Sequence, residues 1–291
     1  MRTATEVEHR RPPTVVGALV NGVLPSRARR TSGEVPPLVV RWRGHRAGSI
    51  GLDDFHRSTG LARGPALHPL YLHALAFRVQ FAVVTHPALP LRFWRVLQIR
   101  NHILARAEVA PGAEVDIESA VASHRVLDRG REVDLQTAVR VGGEAVWECL
   151  TTFYVRGRFG PAGAPSPRAA APDAGDEVVA RWRTGSGDVR AFARLTGDFN
   201  GIHAWSWYAR RFGFERAFHH PQRALGECLA HLAPPEWRPP WRLDAWLKGP
   251  VYYGAEVELR AARGEDAVVF ALAHQGATRP AIVGRVQTAA I

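Results

Sequence analysis

The sequence has few cysteines and a single lysine, and it has no long apolar run. Its two cysteines, Cys149 and Cys228, are too few for a disulfide scaffold and do not form a short metal-ligand pair, so both are expected to be reduced and buried. A bilayer-spanning helix needs about 20 consecutive apolar residues. The longest candidate, Pro69 to Leu91, is interrupted by His73, Arg78, Gln80 and His86, so no membrane insertion is expected. Residues Thr14 to Leu24 make a poor secretory leader. Glu6 and Glu8 spoil the charged start, Asn21 breaks the run, and Arg27, Arg29 and Arg30 stand where a small-residue cleavage site would be. A cytoplasmic location is the expectation. The formal charge is +11, and all of its lysine content is Lys248. Because the arginines are scattered from Arg2 to Arg285 without a basic stripe, no nucleic-acid partner is expected. The positive balance fits equally well a small polyanionic ligand drawn in by a basic surface.

At 291 residues, with 46% hydrophobic and 22% charged, the chain lies in the ordinary globular range and is long enough for two modest domains. The clearest break is Gly160 to Glu177, a Gly/Ala/Pro/Ser stretch without apolar period that reads as a linker. The expected organisation is an arm (1–40), a first domain (41–159), the linker (160–177) and a second domain (178–291). The two long parts read as distant copies of one unit. His68-Pro69 and His220-Pro221 each open a helix-like run, and Gly112-Ala-Glu-Val-Asp-Ile117 answers Gly254-Ala-Glu-Val-Glu-Leu259. Proline suits the first helical turn, where its missing N–H costs nothing. After each helix the period changes to strand-like alternation, as in Glu114–Glu118, Val133–Val139, Val146–Val155, Val257–Arg260, Val268–Leu272 and Ile282–Gln287. One helix followed by an antiparallel meander, twice, predicts an α+β fold in which a sheet wraps a helix.

The chemistry-bearing stretch is Val189 to His203. A short helix is predicted over Val189–Leu195, ended by Thr196-Gly197, which leaves Asp198, Asn200 and His203 in a loop. A carboxylate and an imidazole five residues apart on a tight glycine turn can converge on one water molecule, which is an acid/base arrangement. Taken alone, the same residues could equally be a capping Asp, an Asx turn and a satisfied histidine.

Thr196-Gly-Asp-Phe-Asn-Gly-Ile-His203-Ala-Trp205 resembles the S/T-G-D-x-N-P-[IL]-H-x-D signature of the MaoC-like, (R)-specific enoyl-CoA hydratase family. Gly213-Phe214, His220 (in the place of the histidine of the family's H-G-M) and Lys248-Gly-Pro-Val-Tyr-Tyr-Gly254 continue the resemblance. The first part, with Leu67–Tyr71, Val96–Asn101 and Gly143–Glu148, is similar to the degenerate leading repeat of double hot-dog members. The resemblance implies an α+β double hot-dog fold and reversible hydration of trans-2-enoyl thioesters to (R)-3-hydroxyacyl thioesters in fatty acyl metabolism. It implies Asp198 and His203 as the catalytic dyad and Asn200 as an orienting amide. Gly197, Gly201, His220, Gln222, Arg210 and Arg211 are the expected substrate contacts. No cofactor is implied beyond the CoA or acyl carrier protein of the substrate, and the assembly is expected to be a monomer or a homodimer. One active site per chain is expected, because Gly51–His56 lacks the T-G-D-x-N frame.

The chain departs from the signature at Gly201 (proline in the family), at Trp205 (aspartate) and at Pro221, which takes the place of the H-G-M glycine and has no N–H for a thioester oxygen. If the family uses that amide, Gln222 is the expected substitute donor, aided by the helix N-terminus. His68, His219 and His220 are read as helix-start residues and no metal is expected. Trp205, Trp207, Trp237, Trp241 and Trp246 are read as packing residues. Two alternatives remain open: a hot-dog thioesterase, or an acyl-thioester- or nucleic-acid-binding protein without catalysis.

Overall fold

Proline opens both central helices in the structure, and the chain repeats one topology around them. The computed structural model describes residues 5–13, 35–91, 95–161, 163, 165–166, 170–185, 189–232 and 238–287. The first part runs β1 (Thr5–His9), β2 (Leu38–Arg46), α1 (Leu52–Thr59), α2 (Pro69–Thr85), β3 (Val96–Ala105), β4 (Glu114–Leu127), β5 (Gly130–Val141) and β6 (Glu144–Arg156). The second runs β7 (Val178–Arg183), α3 (Val189–Thr196), a 3₁₀ turn (Gly201–His203), α4 (Ser206–Arg210), α5 (Pro221–His231), β8 (Trp241–Leu247), β9 (Glu256–Arg263), β10 (Ala267–His274) and β11 (Ile282–Gln287).

The strands form one sheet in the order β1-β2-β4-β5-β6-β3-β8-β11-β10-β9-β7. Followed inward from its outer strand, each part has the same connectivity: β2-β4-β5-β6-β3 on one side, β7-β9-β10-β11-β8 on the other. The two sequence echoes at Gly112 and Gly254 lead into β4 and β9, which hold the same place in the two copies. The α+β double hot-dog expectation is met, with one addition: the copies do not keep separate sheets, because β3 and β8 pair antiparallel from Arg100↔Trp246 to Ala105↔Trp241. The predicted arm also contributes a strand. β1 pairs with β2 in parallel at the sheet edge, outside the repeated unit. Residues 14–34 of that arm lie outside the described residues.

Pro69 to Gly112 is longer than Pro221 to Gly254, and the helices account for much of the difference: α2 has 17 residues and α5 has 11. α2 is apolar almost all round and correspondingly buries almost every side chain, including His73 and Gln80. His68 caps it by accepting from the Leu70 N–H at 3.0 Å.

The short helices cross between the copies. α1 packs on α5 and α3 packs on α2. A Cβ at Gly226 of α5 would stand 2.4 Å from Thr59 Cγ2 of α1, so only glycine permits this approach. On the other side, Arg78 of α2 donates through Nε to Leu195 O at 2.8 Å and through Nη2 to Arg194 O. The seam strands are joined by charge as well. Asp244 on β8, fully buried, accepts from His102 Nδ1 of β3 at 2.7 Å, Arg242 Nε at 2.9 Å and Arg285 Nη2 at 2.6 Å. Among the described residues, no helix is long and apolar enough to cross a membrane.

Candidate active site

Local hydrogen bonding after α3 sets the geometry of the site. Gly197 takes a left-handed φ of 75° and donates its N–H to Ala193 O at 2.8 Å, which stops the helix. Thr196 Oγ1 accepts from the Asp198 N–H at 3.2 Å, and Asp198 Oδ1 accepts from the Asn200 N–H at 3.0 Å. Asn200 Oδ1 accepts from the Ile202 N–H at 3.3 Å and starts the 3₁₀ turn that carries His203. Every polar side chain of the T-G-D-x-N stretch therefore helps to build its own loop.

This folding leaves Asp198 Oδ2 at 3.5 Å from His203 Nε2. His203 Nδ1 is 2.9 Å from Phe218 O. A carbonyl can only accept, so Nδ1 carries the hydrogen and Nε2 of the neutral ring presents a lone pair. Burial works against ionisation of Asp198, but the facing His203 and His220 rings and the Asn200 N–H outweigh it and hold the carboxyl at about 2. Carboxylate and imidazole thus offer two acceptors toward one point. His220 stacks on His203, with ring centroids 4.0 Å apart, and its Nε2 donates to the Asp198 backbone carbonyl at 3.0 Å. Burial, with His203 beside it working in the same direction, lowers His220 to about 3, so it is a neutral backing to the His203 ring and a backbone clamp; it does not line the cavity, against its expected role as a substrate contact.

Asp198, Asn200 and His203 line a cavity of about 290 Å³. Its other walls come from both copies. Phe77, Phe81 and Val84 of α2, Phe153 of β6, and Ala224, Val251 and Ile282 are apolar; Gln98, His219 and Lys248 are polar. Phe81 and Val84 belong to the part of α2 that extends beyond the length of α5. Lys248 is the only lysine or arginine among the described residues of this lining, and its ammonium has no ion pair or side-chain hydrogen bond among the described residues. It also borders a second, polar cleft of about 180 Å³ lined by Asp173, Asp176 and Arg260.

The remaining expected contacts lie elsewhere. Gly197 and Gly201 shape the loop and do not line the cavity. Position 201 explains two departures from the signature as one: a Cβ there would lie 2.9 Å from both Trp205 Cε3 and Tyr208 Cδ1, so Trp205 fills the space a proline ring would need. Gln222 points away from the lining and donates to Gln98 Oε1 at 3.2 Å. Arg210 and Arg211 are exposed on or beside α4, Arg211 lies over the Trp207 ring at 5.5 Å, and Arg216 lies over Tyr252 at 5.4 Å. None of the three lines the cavity. Trp241 is buried, Trp246 nearly so, while Trp205 and Trp207 are exposed; Trp237 is outside the described residues. Donor atoms of Asp198, His203 and His220 fall within 4.8 Å of one another, close enough in principle to hold a metal ion, although His203 Nδ1 and His220 Nε2 are already turned to backbone carbonyls. Sequence reasoning missed Gln98 and gave Lys248 no role. The signals were a glutamine inside the quoted Val96–Asn101 stretch and the singularity of the lysine.

The chain matches no protein-family profile. Over 174 residues, 60% of the chain, it is 29% identical to 3-hydroxyacyl-thioester dehydratase X of Mycobacterium tuberculosis, and the match spans 62% of that relative's length. The crystal structure of HtdX from the same organism superposes with a TM-score of 0.73 at 23% identity, covering 86% of this chain and all of that one. The chain is a double hot-dog protein. A MaoC-like dehydratase from Phytophthora capsici overlays this double hot-dog protein with a TM-score of 0.70 at 16% identity, over 90% of this chain and 97% of the other. The identities to the two solved structures are low, so these overlays speak for the fold.

Proposed function

We propose that the double hot-dog protein adds water reversibly across trans-2-enoyl thioesters, giving (R)-3-hydroxyacyl thioesters. The observation that carries this reading is the pair of acceptors, Asp198 Oδ2 and His203 Nε2, 3.5 Å apart on the wall of a cavity that is otherwise mainly apolar. Water held between them loses a proton as its oxygen bonds C3 of the enoyl group. The C2=C3 pair moves toward the thioester carbonyl, and the proton returns from the dyad to C2. His203 is suited to hold that proton in transit, because Phe218 O fixes its tautomer and His220 fixes its plane. Asn200, in the same lining, orients the water or the thioester.

The acyl chain is assigned to the apolar walls from α2 and β6, so the first copy has given up the catalytic frame and kept a shaping role. Incubation with crotonyl-CoA and longer trans-2-enoyl-CoA tests the reading. Loss of enoyl absorbance without release of thiol is the expected result. Thiol release would make the protein a thioesterase, and neither change would leave it a binding protein.

For the carrier end, Lys248 replaces the arginines as the expected phosphate contact. Lys248→Met should raise KM for an enoyl-CoA about two- to fivefold, in proportion to a solvent-exposed ion contact, and leave kcat nearly unchanged. The effect should vanish with the phosphate-free N-acetylcysteamine thioester. An equal rise in KM for both substrates would remove Lys248 from carrier recognition.

A further inference from the structure

The proposed chemistry develops negative charge on the thioester oxygen, and such charge needs donors aimed at it. Pro221 begins α5 at the edge of the cavity and has no N–H to offer. Of the polar side chains in the described lining, His219 gives Nε2 to Gly185 O at 3.0 Å and turns Nδ1 toward the Glu227 carboxylate, with Oε1 at 3.3 Å. Lys248 stands exposed, and Asn200 belongs to the loop that carries the dyad. Gln98 remains, and it comes from the copy without a catalytic frame.

Three observations single it out. First, β3 carries a bulge at this point: Gln98 opposes Phe153 and Arg100 opposes Thr152, which leaves Ile99 as an extra residue. Bulges re-aim side chains, and both Gln98 and Ile99 line the cavity. Second, the amide is held in one orientation. Its Oε1 accepts from Gln222 Nε2 at 3.2 Å, and its Nε2 donates one hydrogen to Asn101 Oδ1 at 2.8 Å. The second amide hydrogen has only His73 Nε2 at 3.5 Å, the outer limit of a hydrogen bond. Third, the holder is Gln222, the residue next to Pro221, so the amide is tied to the helix start at which the missing N–H would have stood.

We propose that Gln98 turns its weakly held second amide hydrogen to the thioester carbonyl oxygen and replaces the backbone N–H that Pro221 removes. The active site is then composite: the second copy supplies the proton-transferring pair and the first supplies the oxyanion donor. Gln98 exchanges no proton. It stabilises the charge that arrives on oxygen when water bonds C3 and that leaves when C2 is protonated. Gln222 is a positioning residue, acting only through Gln98.

This inference rests on the hydratase reading, and the experiment separates the two. Gln98→Leu should lower kcat for an enoyl-CoA about a hundredfold, the effect of removing one oxyanion donor, with KM changed far less. Adding Pro221→Gly to that variant should return much of the loss by restoring a backbone N–H. Gln98→Glu, which keeps the size and cannot donate when ionised, should be as impaired as Gln98→Leu and serves if the leucine variant fails to fold. As a readout apart from turnover, the carbonyl stretch of bound butyryl-CoA should move to higher frequency in Gln98→Leu. An active wild type with unchanged kcat and carbonyl frequency in the variants overturns the role of Gln98 alone. A wild type that adds no water to any enoyl thioester overturns both readings.

Discussion

Asp198→Asn should reduce turnover of an enoyl thioester by about a hundredfold or more and leave thermal unfolding almost where it was. The substitution is informative because the loop needs from residue 198 only what asparagine also provides. Oδ1 still accepts from the Asn200 N–H, and the backbone carbonyl still accepts from His220 Nε2. What disappears is the charge at Oδ2, the atom facing His203 Nε2. Single-turnover rates, with melting followed by circular dichroism, check both parts. A normally folded Asp198→Asn protein with near wild-type turnover would take Asp198 out of the mechanism. Because the histidines and the Asn200 N–H outweigh burial and leave Asp198 ionised down to about 2, the base should stay competent across the whole neutral and mildly acidic range.

The second large effect concerns stability. Asp244→Ala should cost about 3 kcal/mol, toward the lower end for a broken buried ion pair because Arg242 and Arg285 reach water. Arg106→Ala, which breaks an exposed pair with Glu148, should cost less than about 1 kcal/mol. Urea unfolding at pH 7 compares them, and equal costs would refute the special place of Asp244. Burial disfavours the Asp244 carboxylate, but His102, Arg285 and Arg242 outweigh it and lower its pKa to about 2. A depressed carboxyl pKa stabilises the fold fully above the unfolded value near 4 and loses that contribution as pH falls toward 2. Wild-type stability should therefore fall over that acid window, and the Asp244→Ala protein should fall less.

Much of this arrangement was legible in the sequence. Pro69 and Pro221 mark helix starts through a local property of the residue, and the alternating stretches after them became strands because period 2 is local too. Gly142-Gly143, with φ of 57° and 91°, made the β5–β6 hairpin for the same reason. The placement of Asp198 and His203 depended on five residues of loop chemistry, all written consecutively. The seam was not legible: nothing in Asn101-His102-Ile103 announces β8 as its partner. The carrier contact failed likewise, since proximity in sequence put Arg210 and Arg211 beside the signature while the turn of α4 carried them out to solvent. Gln98 and the α2 wall enter the cavity only through pairing across more than a hundred residues, a distance at which pattern carries no information.

The crossing of the short helices bears on how the chain folds and comes apart. α1 finishes the packing of the second copy's long helix, and α3 does so for the first. Each long helix packs on its own copy's strands but leaves one flank for the other copy to cover, so the contacts that complete each are the most distant in sequence and the slowest to find. Two units that would ordinarily fold in turn from the ribosome, the first ahead of the second, are thereby tied together, and one flank of the first copy's long helix stays uncovered until residue 196 has been made.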